Sequence, residues 1–403
     1  MAKWFYGSKF ITSVAQGVTR YFTLVGEQSP TTLATGTEAN QQTLCRSSYT
    51  ASNLWCNVTA ITGTLTLTDR KNGSAGGQSI SITTTGTKED TTHTTSLANG
   101  DLYCMQGVMS NNHGDACTLQ TMSVILDDGG TIAPMILAAS GIGGGGLTAN
   151  QFAFVSGAAT SSSTEADSRV ILRFASTFSN MRAFLTSTST GEFDYYFNGV
   201  AGTQALSYVS ETGAKEDVSA TDLVTAGDTC NVKWLSAGSA TLATFQSKSN
   251  ASANLVVASR TGVAGIGASI TNYYALGGTL QVPATTESNA QIKARVADTW
   301  KNLQANVTAN SRSDATTINL RSGAANPSGG PSISVSAGAT GIIEDLTGSF
   351  TSATTDLMNF RLATGAGTGT ISVTAIGIQQ GDVVLGKAIP FAVKRPQFYR
   401  RRI

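Results

Sequence analysis

Gly86-Thr87-Lys88-Glu89-Asp90, Gly213-Ala214-Lys215-Glu216-Asp217 and Gly341-Ile342-Ile343-Glu344-Asp345 repeat one pentapeptide frame three times in a chain of 403 residues. Eleven residues after each of these aspartates stands another: Asp101, Asp228 and Asp356. Upstream of the frame lie Asn72-Gly73, Asn198-Gly199 and Ser322-Gly323. Further upstream are Thr37-Glu38, Thr164-Glu165 and Thr286-Glu287, each followed eight residues later by an arginine: Arg46, Arg173 and Arg295. Seven residues past each arginine comes Asn53-Leu54, Asn180-Met181 or Asn302-Leu303. Each copy opens on an aromatic-aliphatic run: Tyr21-Phe22-Thr23-Leu24-Val25-Gly26, Phe152-Ala153-Phe154-Val155-Ser156-Gly157 and Tyr273-Tyr274-Ala275-Leu276-Gly277. Self-similarity at this spacing is the signature of a structural unit written in tandem.

Between these anchors, apolar and hydroxyl residues alternate with the period of half-buried strands, as in Thr64-Leu65-Thr66-Leu67-Thr68 and Ser332-Ile333-Ser334-Val335-Ser336. Asn-Gly between two such runs favours a type I′ hairpin, because both central residues need positive φ. The pattern predicts an all-β protein of three tandem antiparallel β-sandwich, jelly-roll-like modules joined by Gly-rich linkers. The expected bounds are an N-terminal arm over 1–20, modules over 21–128, 150–248 and 271–380, linkers over 129–149 and 249–270, and a basic tail over 381–403. The linkers carry apolar patches, Ile132–Leu137 and Leu255–Val257, which are expected to dock as an added strand on the next sandwich. Ala294–Ala305 has the composition of a helix, but its counterparts around Arg46 and Arg173 read as strand or turn, so the repeat predicts strand there.

Composition narrows the function classes. Charged residues are 13% and the net charge is +1, so no global field draws the chain to nucleic acid or membrane. No run of eighteen apolar residues is present, and Met1-Ala2-Lys3-Trp4-Phe5-Tyr6 lacks the apolar run of a secretory signal; assembly in a cytoplasm is the expectation. Asn57-Val58-Thr59 and Asn306-Val307-Thr308 match glycosylation sequons but, without such a signal, read as coincidence. Cys45, Cys56, Cys104, Cys117 and Cys230 form an odd set without CxxC and read as small buried thiols, with a Cys104–Cys117 hairpin bridge as the alternative.

The recurring charged positions are Glu38, Arg46, Asp90 and Asp101 in the first copy, Glu165, Arg173, Asp217 and Asp228 in the second, and Glu287, Arg295, Asp345 and Asp356 in the third. Three identical active sites in one chain would be odd, and the two histidines, His93 and His113, both fall in the first copy and assemble no triad or metalloprotease spacing. The expectation is structural: each arginine partly buried and paired with a carboxylate, pinning a strand to a loop. A calcium site from Glu89, Asp90 and Asp101 is the metal alternative, since three carboxylates supply half the oxygens that ion needs. No catalytic residue and no cofactor is assigned. Gly143–Gly146 lacks the Lys-Ser/Thr ending of a phosphate loop and reads as linker. At the chain ends, Trp4, Phe5 and Tyr6 are too apolar to remain bare. Lys394, Arg395, Phe398, Tyr399, Arg400, Arg401 and Arg402 fit an acidic groove on a protein neighbour, with nucleic acid as the lesser alternative.

Tandem Ser/Thr/Gly-rich sandwiches with an Asn-Gly turn, a Gly-x-x-Glu-Asp turn and a following Gly-Asp resemble the modules of tailed-bacteriophage virion proteins, over about Tyr21 to Gln380. The resemblance implies a virion structural protein that decorates or cements the outer capsid, in which three like domains of one chain mimic a trimer at a local three-fold. The alternative is a tail or head fibre for host-surface glycan attachment, as a homotrimer. The partners implied are the major capsid protein or other virion subunits, with no membrane.

Overall fold

The computed structural model describes residues 3–24, 27–28, 37–129, 134–140, 147, 150–158, 161–236, 238–251, 253–259, 265–280, 283–295 and 297–381. The chain is all-β, 65% strand, and its few helical residues are short 3-10 turns. Ala294–Ala305 is not a helix: Thr299–Asn310 is a strand, as the repeat requires.

The first module holds β1 (Lys3–Ala15), β2 (Thr19–Phe22), β3 (Tyr49–Thr62), β4 (Leu65–Lys71), β5 (Ser74–Ile82), β6 (Gly86–Leu97), β7 (Leu102–Met109) and β8 (Ala116–Asp127). The second holds β9 (Pro134–Ser140), β10 (Gln151–Ala153), β11 (Ser176–Phe197), β12 (Val200–Val224), β13 (Thr229–Leu235) and β14 (Leu242–Asn250). The third holds β15 (Asn254–Ser259), β16 (Thr271–Tyr274), β17 (Thr299–Asn310), β18 (Thr316–Ser322), β19 (Ser332–Val335), β20 (Gly341–Thr351), β21 (Leu357–Thr364) and β22 (Ile371–Gln380).

Modules one and three each stack two five-stranded sheets, each made of four antiparallel main strands and one two-residue strand. Their main-strand orders are β1-β8-β3-β6 over β2-β7-β4-β5, and β15-β22-β17-β20 over β16-β21-β18-β19. First strand beside last, and second beside second-to-last, is the jelly-roll arrangement. In module two β11 and β12 run unbroken through both sheets, which merges them into one nine-stranded sheet. A short strand (Glu27–Gln28, Gly157–Ala158 or Gly278–Thr279) pairs parallel with the first strand of each module.

The recurring residues explain local geometry. Asn72 and Asn198 take φ of 50° and 52°, each followed by a glycine with positive φ, as the predicted hairpin requires. Asn53, Asn180 and Asn302 also lie at positive φ, each where the register slips at Ser52/Leu54, Ser179/Met181 or Lys301/Leu303. The Asn-Leu or Asn-Met pair therefore marks a β-bulge, with asparagine in the left-handed conformation it tolerates best.

Three of the expected segments need correction. Residues 1–20 do not form a separate arm: β1 pairs with β8 from Lys3↔Asp127 to Ala15↔Ala116. Nor are 129–149 and 249–270 only linkers, because β9 pairs with β14 and β15 with β22 as the first strand of its own module. The apolar runs inside these segments have a physical reason. In β15, Val256 and Ala258 enter the core of module three, whereas Leu255 and Val257 enter that of module two. A strand covered on both faces reads as a continuous apolar run, not as an alternation. Trp55 and Ile125 of module one likewise pack into the third module's core.

Candidate functional site: the interface between modules

Each recurring arginine crosses to the next module. Arg46 pairs with Glu216, Arg173 with Glu344, and Arg295 with Glu89, so module one clasps two, two clasps three and three clasps one. Each arginine follows a 3-10 turn (Glu38–Gln41, Glu165–Ser168 or Glu287–Asn289), and each glutamate stands three residues past Gly86, Gly213 or Gly341 in an edge strand. Arg173 grips Glu344 with two N–H groups, Nε donating to Oε1 at 2.8 Å, and this hydrogen bonding raises the arginine's affinity for its proton. Lys293 adds a second cation to Glu89 at 3.1 Å. The sequence predicts the pairing of each arginine but places it inside one module; the partner belongs to the neighbour.

Beside the clasps, the position one residue past the bulge pair's apolar member meets three different solutions. In module three it is Gln304, whose amide accepts from Ile171 N–H at 2.8 Å and donates to Ile171 C=O at 2.7 Å. In module two it is Arg182, 7% exposed, beside Gln246, which clamps the Leu44 N–H and C=O at 2.9 Å each. In module one it is Trp55, 1% exposed against module three. Asn57 Nδ2 donates to Ser288 O and Asn306 Nδ2 to Ala166 O, so these contacts also follow the cyclic order. Clefts of about 510 and 480 Å³ flank these two asparagines.

The other recurring residues stay within their modules. Glu38 pairs with Arg70 and Glu287 with Arg321. In module two Tyr196 stands opposite Asn231, where Arg70 stands opposite Cys104, and Glu165 takes Arg169 instead. Asp90, Asp217 and Asp345 each accept from one N–H on the neighbouring strand segment, of Ser79, Ala205 or Ser332, and from two N–H groups just downstream. Burial works to raise the Asp90 carboxyl, but the N–H groups of Ser79, His93 and Thr92 and the His93 ring hold it down to about 2. Asp101 and Asp228 bond the hairpin asparagines Asn72 and Asn198 at 2.7 and 2.8 Å, and all three, with Asp356, cap the turn just before them.

Glu89, Asp90 and Asp101 do not converge. Glu89 goes to Lys293 and Arg295, Asp90 to backbone N–H groups and His93, and Asp101 to Asn72 and Lys71. Among the described residues no three His, Cys, Asp or Glu side chains gather to hold a metal ion, and no helix is long and apolar enough to cross a membrane. All five cysteines are buried free thiols, with Cys104 and Cys117 unbridged; burial pushes Cys45 and Cys56 up to about 12. The backbone of Trp4, Phe5 and Tyr6 lies in β1 opposite Leu126, Ile125 and Val124. Their side chains, and the basic residues Lys394–Arg402, lie outside the described residues.

Sequence reasoning quotes Glu216 and Glu344 in the recurring frame without giving them a partner, and passes over Gln246, Gln304 and Arg182. The two glutamates carried a usable signal: an acid fixed in frame with a recurring arginine, three times.

No protein-family model and no curated protein matches the chain. Among solved structures, a Paenibacillus xanthan lyase aligns over 85% of this chain and 34% of its own, at 9% identity and a TM-score of 0.19. The chain thus spans about a third of that structure, and a likeness of this size carries no argument.

Proposed function

We propose that the protein is a non-enzymatic structural component of a virion, a decoration or cement protein seated at a three-fold position on the outer capsid of a tailed bacteriophage. The observation that carries this reading is the cyclic order of the clasps, Arg46–Glu216, Arg173–Glu344 and Arg295–Glu89. Three like sandwiches in cyclic order turn equivalent surfaces toward a three-fold-symmetric partner. They do so without the entropic cost of gathering three separate subunits. Jelly rolls recur in capsid and lectin domains, which fits the same reading. The recurring charges support it too, since they are used in turns, sockets and module contacts. The implied partner is the major capsid protein.

The test is electron microscopy of particles that lack the protein, after addition of a labelled full-length copy. Label density at three-fold positions of the shell supports the proposal. Density confined to the tail would favour the fibre reading, and particles that bind no label would overturn the virion role.

A further inference from the structure

The cleft of about 510 Å³ between modules one and three is built from neutral side chains. Trp55 and Asn57 of β3 face module three, the tryptophan in its core and the asparagine donating to Ser288 O at 2.9 Å. Thr87 of β6 stands opposite Asn57, with Thr85 just before it. Module three supplies the far wall through Ser288, Asn289 and Gln291. The hydroxyls of Thr85, Thr87 and Ser288 and the side-chain amide of Asn289 share no hydrogen bond with any described residue. Among the described residues no charged side chain lines the cleft.

The equivalent places at the other two junctions show that the fold does not require this set. In the cleft between modules two and three, Ile342 replaces Thr87, Ala166 replaces Ser288, Asp167 replaces Asn289 and Arg169 replaces Gln291. Asp167 accepts from the Ser162 hydroxyl and Arg169 pairs with Glu165, so both are engaged. In module two, Phe184 and Ala214 take the places of Asn57 and Thr87. One junction of three has gathered uncommitted hydroxyls and an amide around a cavity whose apolar part is Trp55, Val58 and Leu357.

That chemistry selects a class of ligand. Hydroxyl and carboxamide groups both donate and accept, which matches the hydroxyls of a neutral sugar. Small-molecule sites of this volume form where domains meet, apolar in part, with a few polar groups that fix orientation. A phosphate, a sulfate or an acidic sugar would find no cation in the lining. An extended peptide would find no free strand edge in β3, which is hydrogen-bonded on one side to β8 and on the other to β6.

We infer that this cleft is a saccharide site that takes a neutral mono- or disaccharide unit, with Thr87, Ser288 and Asn289 hydrogen-bonding the ring hydroxyls. The site depends on the closed order of modules, because its walls come from the first and the third, and it stands apart from the proposed place on a capsid.

Full-length protein, biotinylated and held on streptavidin to raise avidity, tests this on an array of neutral, acidic and sulfated glycans. Binding to neutral glycans is expected, reproduced by calorimetry with the free oligosaccharide. Thr87→Ile with Ser288→Ala installs residues that the fold already accepts at the equivalent junction. The pair should weaken binding by about tenfold or more with the melting temperature unchanged. Asn289→Asp, borrowed from the same junction, should act in the same direction. An array on which no neutral glycan is bound would overturn the site. So would binding confined to acidic or sulfated glycans, or neutral binding that both variants retain in full.

Discussion

Arg173 of the second module and Glu344 of the third meet side by side, the guanidinium donating two N–H groups to the two carboxylate oxygens with both side chains largely shielded. A planar fork on a carboxylate is the strongest form of ion pair, and removing one partner strands the other in a partly desolvated place. Because Arg173 is 26% and Glu344 12% exposed, solvent screening reduces the loss, and Arg173→Ala should cost about 1–2 kcal/mol. Thermal unfolding checks this, and Arg173→Glu with Glu344→Arg should restore part of what either single change loses. Wild-type melting in Arg173→Ala would remove the clasp from the account.

The cyclic order makes the three junctions comparable. β8 ends at Asp127 and β9 begins at Pro134; β14 ends at Asn250 and β15 begins at Asn254; β22 ends at Gln380 beside the module whose first strand opens at Lys3. A linker of about six residues from Gln380 to Lys3, with new termini opened between 128 and 133, should therefore give a folded circular permutant, since no strand of the three modules is cut. Circular dichroism and a cooperative melt would show it; a soluble but non-cooperative product would contradict the closed order.

Two carboxyls give opposite pH responses. Asp194, 6% exposed, is pushed up to about 7 by burial and then by hydrogen bonding and charge from Glu192, with Lys233 opposing. A raised acid stabilises the fold fully below its unfolded value, and that stability is lost as pH rises through about 7. Between pH 5 and 8 the melting of module two should fall by an amount worth on the order of 1–3 kcal/mol, and Glu192→Gln should flatten the profile. Asp90 is depressed to about 2, so its contribution stands above the usual carboxylate range and fades as pH falls toward 2. A melting temperature constant from pH 5 to 8 would end the Asp194 assignment.

At the hairpin of module two, Asn198 donates to Asp228 at 2.8 Å and accepts from Thr229 N–H at 2.9 Å while holding φ near 52°. Asn198→Ala loses both bonds and strains the turn, at about 1–3 kcal/mol; Asn198→Gly keeps the conformation and should cost less. Equal losses in the two variants would mean that conformation is irrelevant there.

Much of this was legible in the sequence. Asn-Gly turns, the alternation in β4 and β19, and the drift-free spacing of the aspartates point to jelly-roll-like modules. The first strands of modules two and three are legible as the apolar patches Ile132–Leu137 and Leu255–Val257, expected to add a strand to the next sandwich, although the period-two signal vanishes where both faces are buried, as in Leu255–Val257. The destination of Arg46, Arg173 and Arg295 was not legible, since spacing shows that a charge recurs but not which module faces it. Trp55, Arg182 and Gln304 hid for another reason: equivalent places against different neighbours carry different chemistry, so recurrence fails there.

Solution scattering from a chain ending at Gly381 addresses the closed arrangement of modules most directly. Three sandwiches in mutual contact predict a radius of gyration of roughly 22–25 Å, whereas the same modules strung in a line would give about 32 Å. A value near the first, raised toward the second when Arg46, Arg173 and Arg295 are replaced together by glutamate, is what the account predicts. A wild-type value near the second would contradict it.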